Sequence, residues 1–269
     1  MKSKKLKKWT TLLTCATALT VMTACSQSSN QSTGTTSSTT SKTSAVTATT
    51  SKKTNKNSNS NYFTSKDSDT SYNESSATKI KLSGSSADVS GDGAALSGST
   101  VTISKAGTYV ISGKSDGVQI KVDAGDSDDV HIVLDGATMT NTNAAINATK
   151  AGHVYLTLKD GTTNTLSDSS SNSDEDADAV IFSKGDLTIN GSGTLNIDAK
   201  KNNGIKANDS LHITGGTYKI SSVGDAFNVN DELNITGTTM TIEAEEDGVK
   251  VDNDDDTSVG TMYLSDNTM

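Results

Sequence analysis

Three side chains recur at one fixed interval. Asn203, Asp225 and Asp247 are separated by 22 residues each, and each opens a similar tetrapeptide: Asn-Gly-Ile-Lys, Asp-Ala-Phe-Asn and Asp-Gly-Val-Lys. If successive repeats stack, the carboxylates of Asp225 and Asp247 stand about 5 Å apart, where like charges repel. A calcium ion can bridge that gap through ligand bonds of about 2.3–2.6 Å. Glu243, Glu245 and Glu246 lie close in sequence, followed by the run Asp252-Asn-Asp-Asp-Asp256, and a second acidic cluster spans Asp174–Asp178. Oxygen ligands without His or Cys companions suit a hard cation rather than zinc. The candidate ligands are therefore Asp225, Asp247, Glu246, Asp252, Asp254 and Asp178, with Ca2+ as the cofactor. The Asp252 run is not an EF-hand, because Thr257 and Tyr263 stand where that loop needs Gly and Glu.

The elements that must position these groups are short strands. Leu211 and Ile213, then Tyr218 and Ile220, alternate with polar residues, and the pattern returns 22 residues later as Leu233, Ile235, Met240 and Ile242. A local period of two marks strands. Repetition of the whole block every twenty-odd residues marks a solenoid, in which each coil buries its apolar face only against its neighbours. Upstream, Val130-His-Ile-Val-Leu134, Val154-Tyr-Leu-Thr-Leu158 and Leu187-Thr-Ile189 follow the same grammar. Counting inward strands predicts about six to seven coils. Val101–Ser104 and Gly107–Gly113 read as a first strand pair near an N-terminal cap. The last block stops at Met269, partway through a strand, so the solenoid is expected to be incomplete at that end.

Outward residues should form ladders along one sheet. The alignment stacks Val133, Thr157, Thr188, His212, Asn234 and Tyr263, beside a second line through His131, Tyr155, Asp186, Ser210 and Glu232. Such a flat bed suits an extended polymer, and Tyr155, His212 and Tyr263 are the candidate ligand-binding residues. Tyr218 aligns with Leu195 and Met240 and is assigned to the core. The only Trp is Trp9, so the exported part carries no indole platform.

The N-terminus reads as an export signal. Lys2, Lys4, Lys5, Lys7 and Lys8 precede an apolar stretch from Trp9 to Met22, too short to span a bilayer, and Met22-Thr-Ala-Cys25 resembles a lipobox. Residues 1–25 are thus assigned as a lipoprotein signal, with Cys25 as the lipidated residue anchoring the chain to a bacterial membrane. Cys15 lies within the signal, so no disulfide framework is available. Residues 26–77 are rich in Ser, Thr, Asn and Lys and poor in apolar side chains, which predicts a disordered spacer. Residues 78–269 form the folded domain. Charge divides similarly: residues 83–269 carry 11 Lys against 29 acids, a net of −18, which excludes nucleic-acid binding by phosphate neutralisation.

Val101-Thr-Ile-Ser-Lys-Ala-Gly-Thr-Tyr-Val-Ile-Ser-Gly113, the Asn203–Lys206 corner, Leu211-His-Ile-Thr-Gly-Gly216, Gly224-Asp-Ala-Phe227 and Glu246-Asp-Gly-Val249 resemble the bacterial cell-surface carbohydrate-binding domain-containing proteins. The resemblance runs from about residue 79 to the end. It implies an all-β, right-handed parallel β-helix of pectate-lyase-like shape that binds plant polysaccharide and carries calcium, here at Asp225, Glu246 and Asp247, with the Asp252 run adjacent. The expected function is calcium-dependent, non-catalytic binding of a polyuronate or glucan polysaccharide at the cell surface. A lyase or hydrolase on the same scaffold is the first alternative. The chain has no Arg to serve as the usual lyase base, and it shows no recognisable pair of hydrolytic carboxylates. An adhesive or structural surface protein is the second.

Overall fold

Alternation of β-branched and polar residues fixes which side of each strand meets the core. Val130, Ile132 and Leu134 are fully buried on one side of their strand, and so are Leu211 and Ile213, Leu233 and Ile235. In the computed structural model, which describes residues 61–269, these strands coil into a parallel β-helix with three faces. The first face stacks the front halves of Gly107–Asp116 and Asp129–Thr140, then His153–Leu158, Leu187–Gly191, Ser210–Thr214, Glu232–Thr236 and Thr261–Ser265. The second stacks the back halves of those two long strands, then Thr163–Ser167, Thr194–Ala199, Thr217–Ser222 and Thr239–Ala244. The third runs from Thr100–Ile103 through Gln119–Asp123, Ile146–Lys150, Ala179–Ser183, Asn203–Ala207 and Phe227–Val229 to Lys250–Val251. Among the described residues this gives six full rungs and most of a seventh, as the repeat count predicts. At the usual strand spacing the stack is on the order of 30 Å tall.

A single apolar column runs from Ile80 to Met240. Tyr218 pairs in register with Leu195 and Met240 and is buried in this column, as the alignment predicts. Its hydroxyl is buried without a hydrogen-bond partner. An orphaned buried hydroxyl costs about 1–3 kcal/mol, so Tyr218→Phe is expected to raise unfolding stability by about 1 kcal/mol in a denaturant melt.

The turn between first and second faces needs glycine for a stated reason. Gly191, Gly215 and Gly237 occupy it in successive rungs with φ of 99°, 79° and 67°. A Cβ on Gly191 would also collide with the carbonyl oxygen of Leu158 in the rung beside it. The recurrent Gly of the repeat therefore serves tight rung-to-rung stacking.

Two expectations change at the N-terminal end. Val101 and Tyr109 lie on different faces of the first rung rather than in one strand pair. The cap is earlier: Thr78–Gly84 pairs antiparallel with Ser86–Ser90, and Ala94–Ser97 antiparallel with Thr100–Ile103. The folded part also begins before residue 78. Residues 61–77 are packed on the first face, with a short 3-10 helix at Ser65–Ser68. Composition could not show this, because the segment docks through hydrogen bonds and one buried carboxylate, Asp67, more than through apolar area. The signal sequence, Cys25 and residues 26–60 lie outside the described residues.

Candidate functional site

Residues 61–77 form a strap that descends the first face from the last rung to the first. The Tyr62 ring stacks on Tyr263 at 3.8 Å between centroids and 8° between planes. The Tyr62 carbonyl accepts from Asn234 Nδ2 at 2.8 Å, and Phe63 stands edge-on to His212 at 5.7 Å. Lower down, Asn190 donates to the carbonyls of Asp67 and Asp69, and Thr214 Oγ1 donates to the Asp67 carbonyl at 2.5 Å. Tyr72 then meets His131 edge to face, and Ala77 packs with Val110 and Val133.

Asp67 is the centre of this contact. Its Oδ1 accepts from Thr188 Oγ1 at 2.7 Å and lies 3.2 Å from His212 Nδ1, close enough for an ion pair although off the hydrogen-bond axis. Its Oδ2 accepts from the Thr64 N–H and hydroxyl at 2.6 and 2.9 Å. Burial alone would raise the Asp67 carboxyl, but His212, Thr188 and Thr64 together outweigh it and hold it far below the usual carboxylate range. Burial likewise opposes charge on His212, yet Asp67 and Glu232 outweigh it and raise that imidazole above its ordinary value.

Beside the strap a cavity of about 340 Å³ opens between it and the rungs. Tyr155 and His153 make one wall, their rings stacked at 4.1 Å and 15°. Asp186 stands beside His153 in the next rung and Ser210 and His212 lie one rung further on, while Lys66 and Asp67 line the strap side. His153 Nε2 lies 2.9 Å from Thr188 Oγ1, and burial lowers the ring's affinity for a proton, so it is neutral near pH 7. Burial, then Asp129, raise the Tyr155 phenol. Lys66 is tied to Asp129 at 2.8 Å, which raises its ammonium further. The cavity offers an aromatic wall, hydroxyls and a carboxylate within a size suited to small ligands. A groove of about 600 Å³ along the second face has acidic walls, including Asp198, Glu243 and Glu245, and no aromatic ring.

The ligand candidates separate. Tyr155 and His212 line this cavity, whereas Tyr263 lies under Tyr62. The ladder itself is shifted by two residues in its first rungs. Thr188 stands beside Tyr155 and His212, and Thr157 stands beside Asn190. The true outward line is His131, Tyr155, Thr188, His212, Asn234, Tyr263. Sequence alignment of the looser early repeats lacked the anchor of a constant repeat length. Asp67, Lys66, Thr64 and His153 were not recognised as site residues. One signal was present: Tyr62, Phe63 and Tyr72 are the only aromatic residues between 26 and 77.

The corner residues stack as their spacing predicts, but their oxygens are engaged elsewhere. Asn203 Oδ1 accepts the Asp225 N–H at 3.1 Å, and Asp225 Oδ1 accepts the Asp247 N–H at 3.0 Å. Asp225 Oδ2 accepts from Asn228 Nδ2 at 2.7 Å, and the residue is buried. Asp178 is occupied by Lys206 at 2.8 Å and by Asn202. Glu246, Asp247, Asp252 and Asp254 are exposed, and Asp252 stands 3.7 Å from Lys250. Among the described residues no three His, Cys, Asp or Glu side chains converge as a metal site. The fold does not gather the six candidates at one point. Asn203, Asp225 and Asp247 form instead a hydrogen-bond ladder that ties side-chain oxygen to the next rung's backbone.

A three-faced coil of parallel rungs defines a parallel β-helix protein, here with a polar and aromatic cleft on one face. The chain belongs to the carbohydrate-binding domain-containing protein family, whose model matches residues 97–269. It is similar to a carbohydrate-binding domain-containing protein of Acetivibrio thermocellus, 36% identical over 137 residues, a stretch covering 49% of this chain and 48% of that protein. The chain thus matches about half the length of this curated relative. Among solved structures it is similar to the polysaccharide lyase-like protein from C. thermocellum, solved as a gadolinium derivative. That likeness has a TM-score of 0.67 at 33% identity, covering 70% of this chain and 79% of the other.

Proposed function

We propose that the β-helix is a non-catalytic polysaccharide-binding domain whose sugar contacts lie in the cleft between the strap and the first face. The observation that carries this reading is the Tyr155–His153 stack in an open cavity that Asp186 and Ser210 also line. A pyranose ring laid on Tyr155 buries its apolar face, and its hydroxyls meet the polar rim. The non-catalytic reading is supported by the lack of Arg, the usual lyase base, in the sequence, and by Lys66 and Tyr155 in the cleft, which are held protonated, the first by Asp129 and the second chiefly by burial.

The test is a glycan array followed by calorimetry on the best ligand. Tyr155→Ala is expected to weaken binding at least about tenfold, roughly the loss of one stacking contact with its buried area. Undiminished binding by that variant, or steady production of unsaturated uronate absorbance by the native protein, overturns the reading. Export and lipidation at Cys25 complete it, supported by the Lys-rich start and the Met22–Cys25 motif. Metabolic labelling with a radioactive fatty acid is expected to mark the native chain and leave Cys25→Ser unlabelled. Anchored this way, the domain would sit at the bacterial surface at the end of its polar spacer.

A further inference from the structure

The charges around the cleft are unequally matched. Lys66 is paired with Asp129 and Asp67 with His212, so each of these contributes little net field to a ligand. Among the described residues Asp186 has no ion pair, and the one group donating to its carboxylate is the Ser210 N–H at 3.2 Å. Asp209 is raised by burial and by the neighbouring charges of Asp186 and Asp231, against the opposing charge of Lys184. Among the described residues no unpaired cation lines the cavity.

Resting on the sugar-binding reading above, we propose that the cleft selects a hexosamine polymer with free amino groups, the ammonium pairing with Asp186 while the ring rests on Tyr155. A uronate would instead bring a carboxylate against Asp186, with the ammonium that lines the cavity, Lys66, already tied to Asp129. A neutral glucose unit would leave Asp186 unpaired beneath it. An ammonium pairs with that carboxylate and gains attraction from the face of Tyr155.

The experiment titrates the full chain with a β-1,4-linked glucosamine tetramer, its fully N-acetylated counterpart and a cellotetraose control, at mildly acidic pH where the sugar amine carries its proton. The free amine is expected to bind roughly tenfold tighter than the acetylated form, the size of one charge-assisted hydrogen bond. That preference should shrink as salt is raised. Asp186→Asn should bring the two aminosugar tetramers to near parity, while Tyr155→Ala weakens both. Equal or tighter binding of the acetylated or glucose tetramer overturns the amine assignment and leaves the sugar site standing. A preference that survives in Asp186→Asn overturns it as well. If the native chain binds none of the three tetramers and nothing on the glycan array, the sugar site and the amine assignment fall together.

Discussion

Asp67→Ala is expected to release the strap from the first face while leaving the coil folded. The substitution removes one member of a buried ion pair and leaves Thr188 Oγ1, the Thr64 N–H and His212 facing an empty site. Breaking such a pair costs about 3–5 kcal/mol, because the partner left behind stays desolvated. Part of that is recovered when the strap lifts and His212 meets water, so about 3 kcal/mol is the expected loss in strap docking. Amide exchange over residues 62–72 should accelerate about a hundredfold, with little change in the rungs around Leu211 and Leu233. Tyr62 would leave Tyr263, which a change in tyrosine fluorescence would report. Exchange as slow as in the native chain would show that the aromatic and backbone contacts hold the strap without the carboxylate.

The same pair gives the strap a pH dependence of known sign. The Asp67 carboxyl is depressed in the folded chain, so its contribution is present above the ordinary Asp value near 4 and fades only as pH falls toward its much lower folded value. The His212 imidazole is raised, so its contribution is complete below its ordinary value of about 6.5 and disappears as pH rises through the raised value. The contribution of this pair to strap protection is therefore expected to be greatest between about pH 4 and 6.5 and to weaken above that range, while His131 and His153, whose affinity for a proton burial lowers, oppose it as pH falls below about 6.5. His212→Asn should flatten the alkaline side of that profile.

Asp225→Ala is the second large effect, and it separates two roles for the corner ladder. In the ladder role, alanine orphans the Asp247 N–H and the Asn228 amide at a buried corner, costing about 2–3 kcal/mol. Asp225→Asn keeps an oxygen for the Asp247 N–H and is expected to recover most of the loss. In a calcium role, both substitutions would destabilise comparably and a chelator would lower the melting temperature of the native chain. The expected result is a melting temperature unaffected by chelation, because both oxygens of the Asp225 carboxylate already hold protein donors. Since each rung contacts only its neighbours, the Asp225→Ala loss should appear first as faster exchange in Phe227–Val229 and Lys250–Val251.

What the residues determined alone is the coil. Leu211, Ile213, Tyr218 and Ile220 return at 22-residue intervals, and period-two alternation leaves one way to bury them, which is rung upon rung. The stacking of Asn203, Asp225 and Asp247 followed from that interval, and so did the burial of Tyr218, because both depend only on spacing along the chain. The ladder through Thr188 and Tyr155 was less legible, since the early repeats vary in length and a slip of two residues preserves the inward pattern. Chemistry at the corner was beyond reach for another reason. A carboxylate at a rung corner can meet a cation or the next rung's N–H, and only the backbone path decides which is nearer.

The strap belongs wholly to the tertiary structure. Residues 61–77 have the composition of a solvated spacer, and their docking depends on Asp67 meeting His212 and Thr188, which are 145 and 121 positions away in sequence. No local pattern encodes a pairing over such distances. The cleft, lined by Tyr155 and Asp186, exists only because that strap crosses several rungs that folding has already stacked.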